Sequence, residues 1–339
     1  FGRVITAMIT PFLEDGSVDY EGAAALAKHL VAHGSEGILV GGTTGEGATM
    51  TTEEKLKLYK TIVDAVGRNA PGKKVPVMGN IGTISTRDTI LFGREAKKTG
   101  IDCALAIVPF YVKPNQEGMY QHFRAIAKHV NLPIVLYNVP GRTGVSIQPE
   151  TIKRIVDECP NVVGIKDATG NWDQVTKEKT LLPDDFMIYS GDDAFTLPIL
   201  AGGGVGVISV ASHVIGDDLL AMVDAFEKGD LEKARALHLK MYPIMKGMFF
   251  VASPIPVKTA VNLIGQPFLL KSIIQSMEGG NMFISRWIRS FGSCKKSAGL
   301  MISALVLSLA LVPDFSAEAR VGLHQNYELQ KVVIFSRHN

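Results

Sequence analysis

Between residues 4 and 209 the chain alternates a short apolar run with a longer polar-and-apolar segment, eight times over. The runs fall at 4–10, 37–41, 75–80, 103–108, 134–137, 162–166, 187–190 and 205–209. Runs this short and uniformly apolar read as parallel strands covered on both faces. The intervening segments, among them 20–33, 52–66, 86–99 and 117–129, read as helices. Two carry clear start signals: Thr51-Thr52 before Glu53-Glu54, and Ser85-Thr86 before Arg87-Asp88. Eight strand-then-helix units in about 225 residues predict an α/β fold, a closed (β/α)8 TIM barrel. A doubly wound sheet fits less well, because no G-x-G-x-x-G follows the first strand. Gly202-Gly203-Gly204 precedes a strand and not a helix, so it reads as a tight turn.

The barrel is expected to occupy residues 1–228. After a helical pattern at 217–228, those at 230–245 and, following Ser253-Pro254, at 255–264 predict a small, partial C-terminal helical domain over 229–267. Residues 268–339 form an atypical tail. Its stretch 298–312 is almost unbroken apolar sequence between Lys295-Lys296 and Pro313. At about 15 residues it is short for a membrane span of ~20. With Ala317-Glu318-Ala319 it resembles a secretory signal peptide out of place. A buried or interfacial helix, a marginal membrane tail and sequence not selected as part of this domain all stay open. The last is favoured, since no upstream motif gives the tail a partner.

A chain that is 46% hydrophobic and 20% charged, with net charge +2, has no electrostatic footprint for nucleic acid. Its 8 histidines are scattered, with no cysteine or carboxylate cluster beside them, so no metal site is expected. Cys103, Cys159 and Cys294 are few, odd in number and far apart. They fit a reducing compartment, and with no signal peptide before the first strand the expected location is the cytoplasm.

In such a barrel the C-terminal ends of the strands and the loops after them build the active site. Lys166 closes the sixth run, Val162-Val163-Gly164-Ile165-Lys166. An ammonium group there is costly unless something uses it, and burial favours its neutral, nucleophilic form. A lysine reaching the surface from a strand end is the plainer alternative. After the second run come Gly42-Thr43-Thr44-Gly45-Glu46-Gly47, whose amides and hydroxyls suit a carboxylate, or which form a plain glycine-rich turn. Pro109-Phe110-Tyr111 follows the fourth run as an aromatic pair that can simply pack. The fifth ends in Tyr137-Asn138-Val139-Pro140-Gly141-Arg142-Thr143. A tyrosine at a barrel mouth can shuttle protons, and an arginine can grip a carboxylate with two parallel hydrogen bonds. Ser190-Gly191-Asp192-Asp193, after the seventh run, can also be a helix N-cap. Each signal has an ordinary structural alternative, but all of them fall on one face.

These motifs together resemble the dihydrodipicolinate synthase branch of the pyruvate-dependent class I aldolases. Gly164-Ile165-Lys166-Asp167-Ala168-Thr169-Gly170, Gly206-Val207-Ile208-Ser209-Val210 and Pro254-Ile255-Pro256-Val257-Lys258 complete the match, which runs from about Phe1 to Pro267. The resemblance implies a (β/α)8 barrel with a C-terminal helical domain, assembled as a homotetramer of two tight dimers or as a homodimer. It implies that Lys166 forms a Schiff base with pyruvate and that the enamine adds to L-aspartate 4-semialdehyde, giving 4-hydroxy-tetrahydrodipicolinate for lysine and diaminopimelate biosynthesis. No cofactor other than that covalent adduct is implied. Tyr137 matches the proton donor and acceptor, and Thr43 and Tyr111 match its relay, with the tyrosine lent by the neighbouring subunit. Thr44 and Ile208 match pyruvate contacts, and Gly191 lines the same pocket. Arg142 matches the group that receives the semialdehyde carboxylate.

The sister branch of N-acetylneuraminate lyases and keto-deoxy-sugar aldolases shares Lys166 and Tyr137. Its substrates offer hydroxyls where Arg142 stands, so an aldolase releasing pyruvate from a sugar acid is the second reading. A catalytically silent barrel that binds a keto acid is the third. In lysine-sensitive members of the family a pocket at the tight-dimer interface carries histidine, asparagine and tyrosine. Lys55, Ile84 and Phe110 occupy the corresponding positions here. A cation repels the ligand's ammonium groups and the apolar side chains offer no hydrogen bonds, so weak or absent lysine inhibition is expected. The family's usual final helices do not appear after Gly265-Gln266-Pro267.

Overall fold

A computed structural model describes residues 1–264 of the chain. The tail from 268 onward, with its apolar stretch and Cys294, lies outside the described residues. So do the last residues of the expected helical domain.

Eight strands pair in sequence order, all parallel, and close on themselves: β1 (Val4–Ala7), β2 (Gly37–Val40), β3 (Val77–Asn80), β4 (Cys103–Ile107), β5 (Ile134–Asn138), β6 (Val162–Asp167), β7 (Met187–Ser190) and β8 (Gly206–Ser209). The first six connections carry α1 (Tyr20–Ala32), α2 (Thr52–Val66), α3 (Thr86–Lys98), α4 (Gln116–His129), the pair α5 (Pro140–Thr143) and α6 (Pro149–Glu158), and α7 (Trp172–Leu181). A 3-10 turn at Asp193–Phe195 leads into α8 (Thr196–Ala201), and α9 (Ser212–Glu227) follows the last strand. The (β/α)8 barrel expected from the repeat is the fold observed.

Helix starts are set by local chemistry. Thr51 and Glu54 form a reciprocal capping box on α2, and Ser85 accepts from the Asp88 amide at the start of α3. Strand ends are the main point of difference. The run 4–10 predicts a strand as far as Thr10, yet β1 stops at Ala7. Met8, Ile9 and Thr10 remain buried past its end, where the Ile9 amide donates to the His213 ring and the Thr10 hydroxyl to the Gly45 carbonyl, so hydrophobicity alone overstates the strand.

The core has two layers. Ile5, Ala7, Leu39, Met78, Leu105, Val135, Tyr137, Tyr189 and Ile208 fill the barrel interior, and a larger cluster lies between strands and helices. Burying a side chain of the Val, Leu or Ile class contributes about 1.5–3 kcal/mol, which makes the helix–strand layer the main source of stability.

Beyond the barrel, α10 (Leu231–Gly247) packs along α9, and α11 (Ile255–Leu263) also contacts α9. These helices follow the barrel, as the pattern after residue 228 predicts. Among the described residues no helix is long and apolar enough to cross a membrane.

Candidate active site

The register of the barrel brings the chemistry together. Tyr137 on β5 is the partner of Lys166 on β6, which is the partner of Tyr189 on β7. Register partners in parallel strands share a face, and Tyr137 and Tyr189 face the interior. Lys166 therefore points inward, near the C-terminal end of the barrel. Its ammonium lies 4.4 Å from the centroid of the Tyr137 ring. The lysine is only 6% exposed. Burial brings its pKa down from 10.5 to about 8, Asp193 opposing the shift and Arg142 adding to it. Free amine is thus accessible near neutral pH.

Burial raises the Tyr137 phenol above its ordinary value, with Arg142 and a hydrogen bond from the Thr43 hydroxyl working against the rise. The phenol therefore keeps its proton at neutral pH and has Thr43 as a partner. Arg142 stands on α5, a single turn started by Pro140, and is exposed at the mouth. Thr44 is buried beside Thr43 in the loop after β2. Ile208 is buried on the interior face of β8. Gly191 follows β7, and its amide donates to the Asp167 carbonyl at 2.5 Å. A side chain there would press on Ala168 at 2.7 Å, so glycine lets the chain pass close to the end of β6.

Tyr111 is different. It has a left-handed backbone, with φ of 66°, and is 87% exposed, so its ring stands away from the Lys166 cluster of its own chain. Of the positions matched to the lysine pocket, Lys55 places its ammonium 4.6 Å from the Phe92 ring, while Ile84 and Phe110 are exposed apolar side chains.

In the sequence Asp193 stands out only as part of a possible helix N-cap; the structure gives it another place. In the Asp192-Asp193 pair, Asp192 is the cap, accepting from the Ala194 amide at 2.9 Å. Asp193 is fully buried and accepts from the Ser209 hydroxyl and from the amides of Val210 and Ala211 at 3.1 and 3.0 Å. Burial raises its pKa, with these hydrogen bonds opposing the rise, and as a carboxylate it opposes the lowering of the Lys166 pKa. Among the described residues no group of three or more His, Cys, Asp or Glu side chains is placed to hold a metal ion.

Residues 1–270 match the dihydrodipicolinate synthetase family. The chain belongs to that family. Its relatives include the 4-hydroxy-tetrahydrodipicolinate synthase of Heliobacterium modesticaldum, 50% identical over 267 residues, which are 79% of this chain and 87% of that protein. The corresponding synthase of Desulforamulus reducens is 46% identical over 265 residues, covering 78% and 88% of the two chains. Among solved structures, dihydrodipicolinate synthase from Cyanidioschyzon merolae with lysine bound superposes with a TM-score of 0.78 at 38% identity, covering 90% of this chain and 99% of that one. Membership of the dihydrodipicolinate synthetase family fits a barrel in which buried Lys166 faces a tyrosine with a threonine partner.

Proposed function

We infer that this protein is a 4-hydroxy-tetrahydrodipicolinate synthase, a lyase that condenses pyruvate with L-aspartate 4-semialdehyde. The observation that carries this is Lys166, buried at the end of β6, brought down to about pH 8 and set 4.4 Å from the Tyr137 ring in a chain of this family. The Lys166 amine adds to the keto carbon of pyruvate, and loss of water gives the iminium ion. A methyl proton leaves, giving the enamine, whose carbon adds to the semialdehyde aldehyde. The product's own amine then attacks the iminium carbon, closing the ring and releasing Lys166. One water is lost overall. The iminium formed on Lys166 takes up the electron pair left by the methyl proton, so no separate cofactor is required.

Tyr137 carries protons to and from these intermediates through Thr43, which the hydrogen bond between them supports. Thr44, Ile208 and Gly191 line the pyruvate end, where amides and a hydroxyl suit its carboxylate. Arg142, at the mouth, takes the semialdehyde carboxylate. The exposure of Tyr111 supports a relay completed between subunits, in a homodimer or a homotetramer. Cys103 and Cys159 are free thiols, which supports work in the cytoplasm.

Lysine inhibits the enzyme weakly or not at all, since Lys55, Ile84 and Phe110 offer a cation and apolar surface. An inhibition constant below about 1 mM would contradict this. The activity itself is tested by a coupled assay offering pyruvate with L-aspartate 4-semialdehyde, against N-acetylneuraminate alone. Turnover of the first and not of the second is expected; the reverse would transfer the protein to the sugar-acid aldolases.

A further inference from the structure

The turn after β2 is anchored by a residue 212 positions away along the chain. Glu46 lies in this turn with φ of 54°, a left-handed conformation that costs a non-glycine residue roughly 1–2 kcal/mol. Its neighbours show why the turn is tight. A side chain at Gly47 would sit 2.0 Å from the Gly41 carbonyl oxygen, and one at Gly45 2.8 Å from that of Met8. Glycine would suit position 46 as well, yet a glutamate stands there, and its side chain runs inward until the residue is 2% exposed. Its carboxylate meets the Lys258 ammonium at 2.5 Å, and both side chains are buried. Lys258 belongs to α11, after the barrel, and its ammonium also lies 4.6 Å from the centroid of the Phe12 ring.

A buried ion pair adds little net stability over an apolar pair of the same size, so stability alone does not account for it. Its effect is geometric. The Glu46 amide donates to the Thr43 carbonyl at 3.1 Å, and the Gly47 amide donates to the Gly42 carbonyl at the same distance. On the other side, the Thr10 hydroxyl holds the Gly45 carbonyl at 2.6 Å and the Thr49 hydroxyl holds the Glu46 carbonyl at 2.8 Å. The segment containing Thr43 and Thr44 is therefore tied to the position of the Glu46 side chain.

We propose that Lys258 is a positioning residue for the keto-acid site: by holding the Glu46 carboxylate it fixes the Thr43-Thr44 turn, so the helix beyond the barrel sets how well pyruvate is bound. The inference rests on the pyruvate reading of that turn. A displacement of about 1 Å at such a cradle costs roughly 10²-fold in rate.

The test is steady-state kinetics on full-length Lys258→Met and Glu46→Gln variants, with borohydride trapping of pyruvate. Lys258→Met is expected to raise the pyruvate KM by roughly tenfold or more, leaving the semialdehyde KM within about twofold. Glu46→Gln keeps an acceptor for the ammonium and is expected to give a smaller rise in the pyruvate KM. It decides the matter if Lys258→Met does not fold. Any folded variant of the pair with an unchanged pyruvate KM and only a lower melting temperature overturns the proposal, for the pair is then merely structural. If the unsubstituted protein forms no pyruvate adduct, the pyruvate reading falls and this inference with it, a failure visible without any substitution.

Discussion

Lys166 and Tyr137 are register partners on adjacent strands, and the ammonium of one lies 4.4 Å from the ring centroid of the other. The pairing gives the proposed nucleophile and the proposed proton carrier a fixed separation set by the barrel, not by a loop. It also separates two roles that mutation can resolve.

Tyr137→Phe keeps the ring face and removes the hydroxyl. Lys166 should still form a borohydride-trappable adduct with pyruvate, more slowly, while kcat falls about 10²–10⁴-fold. A kcat within a few-fold of the original would remove Tyr137 from the proton path.

The pH dependence follows from the Lys166 pKa of about 8 against 10.5 for the free side chain. Below pH 8 the amine is protonated, and trapping should quicken about tenfold per pH unit before levelling off above 8. The stability sign follows from the same shift. Between pH 8 and 10.5 the unfolded chain binds a proton that the folded lysine has lost, so this group's contribution to stability rises with pH there. A trapping profile with its midpoint near 10.5 would mean that the lysine is not desolvated.

Arg142→Leu should raise the semialdehyde KM about 10- to 100-fold, the worth of a charge-assisted hydrogen bond, and leave the pyruvate KM nearly unchanged. A rise in the pyruvate KM instead would place the arginine at the other substrate.

On the outer face of β6, Asp167 faces the helix layer with Glu178 of α7, and each has a buried carboxyl oxygen without a hydrogen-bond partner. Burial first, then the Asp167 charge, raises Glu178 to about 8, against a hydrogen bond from Gln174. The folded state therefore holds a proton that the unfolded chain releases above about 4.5, and stability falls as pH rises from there to 8. Glu178→Gln should raise Tm at pH 8 by several degrees, at roughly 2–4 °C for each kcal/mol regained, and change it little at pH 5. Thermal melts at the two pH values check this; equal shifts would contradict it.

The barrel could be read from the sequence because each strand is a compact apolar run, and its register then places Tyr137 beside Lys166. Strand ends are harder, as at Met8, Ile9 and Thr10, where burial continues beyond the last residue of β1. The α5 turn that presents Arg142 is four residues long, too short to show a helical period. The Glu46–Lys258 pair joins positions too distant for any local spacing to reveal. In Asp192-Asp193 the cap was evident, but which aspartate caps and which turns inward depends on where β8 ends.

The central claim is that Lys166 captures the keto carbon of pyruvate. Incubating the protein with pyruvate and borohydride, then mapping the adduct by peptide mass spectrometry, tests it most directly. One reduced pyruvate unit on the peptide containing Lys166, absent when Lys166→Ala is treated alike, is the predicted result. An unmodified Lys166, or an adduct on another lysine, would contradict it.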